Sequence, residues 1–348
     1  MTPEPGLHWS PPARRFFARL SWLAVFLLLL VAGLGYGKYR VKKAYERGVD
    51  AIRGQDYDHA IAEFSEVIRL EPKYADAYIN RGASYAHKGD WVKAIADCNE
   101  AIRLNHNFAV AYYNRGIVYR LKGDYDKAID DYSEAIRLKP DSVNVYIERG
   151  HAYDHKRDYD RVIADFNEVI RLDPNQATAY YNRGNAYDHK GDYDRAIADY
   201  NEAVRLNLDY AYICKASRAY AYSQKGYYST AIADYNDAIR LNPTNAVAYI
   251  NLAWLLAVCP DANHRNGEYA VEYATKACEQ SEWKIPAYFS ALAVAYAEAG
   301  DFDNAIIWEN KYLESNPPKD AQEKARQRLS LYEQKKPYHE ERPALSAP

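Results

Sequence analysis

The sequence is poor in the residues that make catalytic or metal centres. It has four cysteines, and no two stand at a metal-ligand or C-x-x-C spacing. Cys98 occupies a position where a ring is otherwise found, so it reads as a buried, inert thiol. Cys259 and Cys278 share one irregular stretch, and a bond between them stays open for an oxidising compartment. There is no G-x-S-x-G, no H-E-x-x-H and no Walker sequence. Charge of one sign is lacking too, with a formal net of −3. Residues 1–53 carry +6 and the remainder −9. A phosphate-binding surface needs clustered positive charge, so a mildly acidic body argues against nucleic acid as the partner.

Long apolar runs are absent with one exception. Leu20–Gly37, LSWLAVFLLLLVAGLGYG, holds no charged residue. A helix of that length, at about 1.5 Å per residue, comes close to the roughly 30 Å hydrocarbon core. The expectation is a transmembrane helix over 17–38 after an irregular, disordered tail over 1–16. The chain is then a single-pass membrane protein, of the bacterial inner membrane, with the side of its body left open. A cleaved signal peptide is the rival reading; the length of the run and the lack of an A-x-A site stand against it. Gly33 and Gly37 form a small-xxx-small pair through which two such helices could meet in a homodimer.

What the sequence has in abundance is periodicity. Gly48, Gly82, Gly116, Gly150 and Gly184 recur every 34 residues. So do Tyr78, Tyr112, Tyr146 and Tyr180, and Tyr85, Tyr119, Tyr153 and Tyr187. The 35 tyrosines of the chain fall mostly at such fixed positions, where large rings fill the space between helices. Within Ala109–Ser142, apolar residues three, four and seven apart predict a first helix, A, over about 110–122, and a second, B, over 125–138. Gly123 suits the left-handed turn between them, Asp124 caps the second helix, and Pro140 follows its end. A fixed 34-residue helix–turn–helix period marks a repeat array, in which each unit buries its face against its neighbours.

The unit resembles the tetratricopeptide repeat. That family's pattern is met by Tyr112, Gly116, Tyr119, Gly123, Ala128, Tyr132, Ala135 and Pro140 at positions 4, 8, 11, 15, 20, 24, 27 and 32. The resemblance covers about residues 41–317 and implies an all-α fold, a right-handed α-α superhelix behind the membrane helix. Six units are expected over 41–245, then an irregular unit and a final repeat over 246–317. A polar capping helix follows over 318–335 and a disordered tail over 336–348. Gly116 is expected to face Ala128. Gln55 and Arg157 stand where the turn favours glycine.

The polar residues yield little chemistry. Asp90, Asp124, Asp158 and Asp192 all fall at the helix-capping turn. His87, His155 and His189 share position 13, but equivalent positions of adjacent units lie at least a helix width apart, about 8–10 Å, too far for one metal ion. No cofactor, metal or catalytic residue is expected. The resemblance instead points to the inner wall lined by A helices. There it places Asn80, Tyr113, Asn114, Ile117, Arg120, Ile147, His151, Asp154, Tyr181, Asn182, Asn185 and Asp188. Amide side chains at position 6 offer both donor and acceptor to an extended peptide backbone. The reading is a membrane-tethered, non-enzymatic scaffold for a protein or peptide partner. The alternatives are a structural subunit of a cell-envelope assembly and an accessory subunit of an envelope-modifying enzyme.

Overall fold

The computed structural model describes residues 36–341, and among them there are only helices and connecting turns. Helix α1 includes residues 36–53. The following helices are α2 Tyr57–Leu70, α3 Ala75–His87, α4 Trp91–Leu104, α5 Ala109–Leu121, α6 Tyr125–Leu138 and α7 Val143–His155. Then come α8 Tyr159–Leu172, α9 Ala177–His189, α10 Tyr193–Leu206, α11 Ala211–Gln224 and α12 Tyr228–Leu241. The chain closes with α13 Ala246–Val258, α14 Gly267–Gln280, α15 Pro286–Glu298, α16 Phe302–Glu314 and α17 Lys319–Glu333. Two compact units divide within α7, one ending at Glu148 and the other beginning at Arg149.

The single-pass membrane localisation is corrected. No helix of the described residues is long and apolar enough to cross a membrane. Of the expected span 17–38, only residues 36–38 are described. They belong to a helix that continues through Lys38, Arg40, Lys42 and Lys43, a charge density unsuited to hydrocarbon. The rest of that span, the tail over 1–16 and Gly33 of the proposed helix pair lie outside the described residues. Gly37 has open space around it.

One turn chemistry builds most of the hairpins. Gly123 takes φ +80°, a conformation open to a residue without Cβ, and the Asp124 carboxylate accepts from the Lys127 amide. Asp56, Asp90, Asp158, Asp192 and Asp301 cap their helices in the same way. Gln55 and Arg157 adopt the left-handed turn as well, each at φ +58° despite the Cβ. In the sixth hairpin Tyr227 holds the cap position and supplies no side-chain bond.

Packing inside a hairpin depends on a ring meeting a glycine. A Cβ at Gly116 would lie 2.6 Å from Tyr132 Cε1, so the glycine faces the Tyr132 ring and not Ala128. Gly48, Gly150 and Gly184 meet Phe64, Phe166 and Tyr200 likewise. Each of these rings is buried. Burying such a side chain is worth roughly 1.5–3 kcal/mol, so each of these four contacts adds appreciably to its hairpin.

In the second unit the pattern changes after α12. Helices α13 and α15 are buried on most of their circumference, from Ala248 to Val258 and from Phe289 to Ala297. A helix apolar all round must be enclosed. Part of that enclosure is α17. Its inner side holds Ala325, Arg328 and Tyr332, with Arg328 rather than Leu329 turned inward. Arg328 donates to Glu309, wholly buried on α16, and to Ser290 on α15, both at 2.8 Å. Its guanidinium also lies 5.9 Å from the Trp254 ring centre and 6.0 Å from that of Tyr338. One cation thus ties four helices and the segment beyond α17 together.

Candidate functional site

The A-helix residues expected to face a partner fall into two sets, one per compact unit. In the first unit, Asn80 spends its amide donors inward, on Tyr45 Oη and the Asp76 carbonyl, each at 3.0 Å. Tyr113 packs on Tyr132, ring centres 6.1 Å apart. Arg120 Nε and Glu148 Oε2 form an ion pair at 2.8 Å without hydrogen-bond alignment. These three are therefore committed at least in part to the fold. Ile147 is half-buried nearby in sequence but is not drawn into the hollow that follows.

Asn114 and Ile117 do come together. With Gly82, Ala86, Cys98 and Leu121 they line a hollow of about 210 Å³ between α3, α4 and α5. Its origin is legible in the repeat. Position 24 carries Phe64, Tyr132, Phe166, Tyr200 and Tyr235 in other hairpins, all fully buried, but Cys98 in this one. A thiol is too short to reach Gly82, whose added Cβ would still be 3.7 Å from Sγ. Burial pushes the Cys98 thiol up to about 12, so at neutral pH it stays protonated and unreactive. All four cysteines are free and buried.

In the second unit, Asp154 is exposed and His151 lies edge-on to Phe166 at 5.8 Å. Tyr181 packs between Tyr200 and Tyr210, at 5.9 and 5.3 Å. Asn182 is half-buried. Asn185 and Asp188 are brought together in a cavity of about 160 Å³ with Ser217, Tyr220 and Asn251. Asn185 accepts from the Tyr200 hydroxyl at 2.8 Å. Asp188 Oδ1 is buried with no hydrogen-bond partner among the described residues. Burial pushes its carboxyl up to about 6, against a small opposing pull from His189. A second cavity shares Tyr220 and Asn251 with this one. It measures about 510 Å³ and is lined also by Tyr228, Trp254, Leu255 and Glu340.

The position-13 histidines have structural work. His87 stacks on Tyr57 at 4.5 Å and His189 on Tyr159 at 4.9 Å. Among the described residues no group of side chains is arranged to hold a metal ion.

Sequence reasoning missed an ion-pair ladder. Arg81, Arg115, Arg149, Arg183 and Arg218 each grip the aspartate sixteen residues on: Asp97, Asp131, Asp165, Asp199 and Asp234. Both guanidinium bonds in every pair measure 2.6–3.0 Å. The aspartates are buried. The signal was present as Arg one place before the position-8 residue and Asp one place before the position-24 residue in five successive hairpins. These pairs link A to B helices, so they hold the candidate surface in place rather than form it.

Family comparison agrees with this architecture. Profiles of the tetratricopeptide repeat match residues 75–108, 109–142, 177–210, 215–245 and 234–270, and a TPR repeat profile matches 52–89 and 158–188. The chain belongs to the tetratricopeptide repeat family. No curated protein matches it. Among solved structures, the C-terminal part of a TPR repeat-containing protein from Cytophaga hutchinsonii is 17% identical, with a TM-score of 0.59. That match covers 71% of this chain and 99% of the other. A tetratricopeptide repeat protein from Parabacteroides merdae is 15% identical at a TM-score of 0.51, over 85% of this chain and 99% of its own. Both likenesses concern the fold. YrrB, described as a TPR protein with an unusual peptide-binding site, is 20% identical at a TM-score of 0.49, over 53% of this chain and 95% of its own.

Proposed function

We propose that this chain is a non-enzymatic scaffold that holds an extended segment of a protein partner against its A-helix faces. The observation that carries the reading is Asp188: a buried carboxylate oxygen left without a partner, beside Asn185 in an open cavity. Leaving such an acceptor unpaired costs about 1–3 kcal/mol, more for a charged group. A lysine, arginine or backbone amide of a partner would recover that cost. In the first unit the hollow beside Asn114 supplies apolar surface next to an amide with both donor and acceptor capacity. A partner segment at the second unit's cavity thus offers a cation or an amide, and one at the first unit's hollow presents an apolar side chain.

The test is capture. The full chain, carrying a photo-crosslinker on α9, is used to identify and purify its partner, and the affinity is then measured directly. Asp188→Asn should weaken binding by about tenfold, the value of one charge-assisted hydrogen bond. Asn114→Ala with Asn182→Ala should weaken it further, with the melting curve of the parent retained. Undiminished affinity in both variants would count against the A-helix faces as the binding surface.

A further inference from the structure

The segment after α17 does not leave the fold. Lys335 turns at φ +58°, and residues 336–341 then cross the second unit's own A helices. Tyr338 packs among the rings around Trp254 and Trp308. His339 Nε2 lies 2.7 Å from Glu298 Oε2 at the end of α15. The Glu340 amide donates to the Val258 carbonyl at 2.9 Å, one of the acceptors that the end of α13 leaves free. Glu340 Oε1 accepts from Trp254 Nε1 at 2.8 Å. Glu340 and Glu341 then border the 510 Å³ cavity, whose far wall is Tyr220 of α11. The path runs from α15 to α13 toward α11.

Such contacts have the form of peptide recognition. The backbone satisfies a helix end, one ring enters an aromatic cluster, and one carboxylate meets a single directed donor. Lys336, His339 and Glu341 remain exposed, so the segment covers the surface without becoming core. We propose that residues 336–341 are a built-in ligand of the α11–α13–α15 face. A partner segment with an aromatic ring followed two residues later by a carboxylate, the spacing of Tyr338 and Glu340, displaces it. This rests on reading the A-helix faces as peptide-binding, and it adds the class of segment that this stretch of them takes and the competitor already in place.

A fluorescein-labelled peptide of residues 334–348 is titrated into two full-length proteins: the parent and Tyr338→Ala/Glu340→Ala. A tethered competitor acts at an effective concentration of about millimolar. The peptide should therefore bind the tail variant at least tenfold more tightly than the parent. Adding Trp254→Phe to that variant, which keeps a ring but removes the donor, should lower the affinity about tenfold. Equal affinity for parent and tail variant, or no binding to a tail variant with parental circular dichroism, overturns the proposal. A measurement on the unaltered chain covers the case of a variant that does not fold. The Glu340 amide should exchange hydrogen at least a hundredfold faster than the core amides of α13, and equal protection would make the segment a fixed part of the fold. Loss of this peptide binding while partner capture still responds to Asp188→Asn would sink the tail proposal alone.

Discussion

Removing one member of the Arg183–Asp199 pair should be far more damaging than removing both. Asp199 is 5% exposed and accepts from Arg183 Nε at 2.8 Å and Nη2 at 2.6 Å. Arg183 also donates to Asn167 at 2.6 Å. Burial pushes the Asp199 carboxyl up, and Arg183 pulls it only part of the way back. Arg183 in turn is held above its ordinary value by its bonds to Asp199. A buried pair that must first be stripped of water adds little net stability over a well-packed apolar one. Asp199→Leu strands a guanidinium that still holds Asn167; we expect a loss of about 3 kcal/mol, the low end for a broken buried pair. Arg183→Met strands a carboxylate deeper inside and should cost about 3–5 kcal/mol. Arg183→Met/Asp199→Leu should cost about 0–1 kcal/mol, since both desolvation penalties vanish and Asn167, being exposed, finds water. Urea unfolding followed by circular dichroism gives the three values. Hydrogen exchange on α9 and α10 guards against unit-by-unit unfolding, which arrays permit. A double variant as unstable as the sum of the singles would refute the argument, because the pair would then be a net source of stability.

Four further outcomes follow from local geometry. Gly116→Ala should destabilise by about 1–2 kcal/mol in a melting curve: the methyl would sit 2.6 Å from the buried Tyr132 ring, an overpacking larger than the helix-propensity gain of about 1 kcal/mol. Gly82→Ala, whose nearest neighbours are 3.2 Å away, should be within about 0.5 kcal/mol of the parent by the same balance. Tyr227→Asp should stabilise by about 0.5–1 kcal/mol in urea by restoring the cap that the other hairpins have, less the Tyr227 contacts with Tyr222 and Lys225. For Asp188 the folded pKa lies above the unfolded one, so its contribution is full below about pH 4 and is lost as pH rises through about 6. Asp188→Asn should then match the parent near pH 4 and exceed it by about 1 kcal/mol at pH 7.5, a figure reduced for the exposed part of the group; a pH-independent difference would remove the buried charge as its cause.

Periodicity made the helices legible, because a 34-residue spacing fixes turn, cap and core positions at once. Gly123, Asp124 and the left-handed Gln55 and Arg157 could all be read from their place in the unit. Side-chain partners were harder. Gly116 meets Tyr132 and not Ala128 because a ring on the neighbouring helix reaches further than a methyl on the same face. The Arg–Asp ladder went unread because single charged residues in a helix are ordinarily solvated, and only their register reveals them. Of the twelve surface residues, Asn80, Tyr113, Arg120, His151, Tyr181 and Asn185 are engaged within the fold, and a position number carries no information on that. Asp188 stands apart because its neighbours Tyr220 and Asn251 come from the next two A helices, in units that supply none of the twelve.

Three places along the described chain combine a local gap or an unpaired group with an A-helix face. A missing ring at Cys98 opens the hollow beside Asn114, since no other residue of that hairpin can fill position 24. Asp188 repeats Asp154 at position 12 of the unit before it, but Asp154 is exposed whereas Asp188 is half-buried with one oxygen lacking a hydrogen-bond partner among the described residues. After α12 the loop through Pro260 shifts α14 against α15 so closely that a Cβ at Gly267 would lie 2.4 Å from the Ala299 amide nitrogen. The C-terminal ends of α13 and α15 are met by the segment after α17, through the Glu340 amide on Val258 and His339 on Glu298. The gap left by Cys98, on the B helix α4, opens onto the A helices α3 and α5, and Asp188 and the α13–α15 ends lie on A helices themselves, which is the physical ground for assigning recognition to that side of each hairpin.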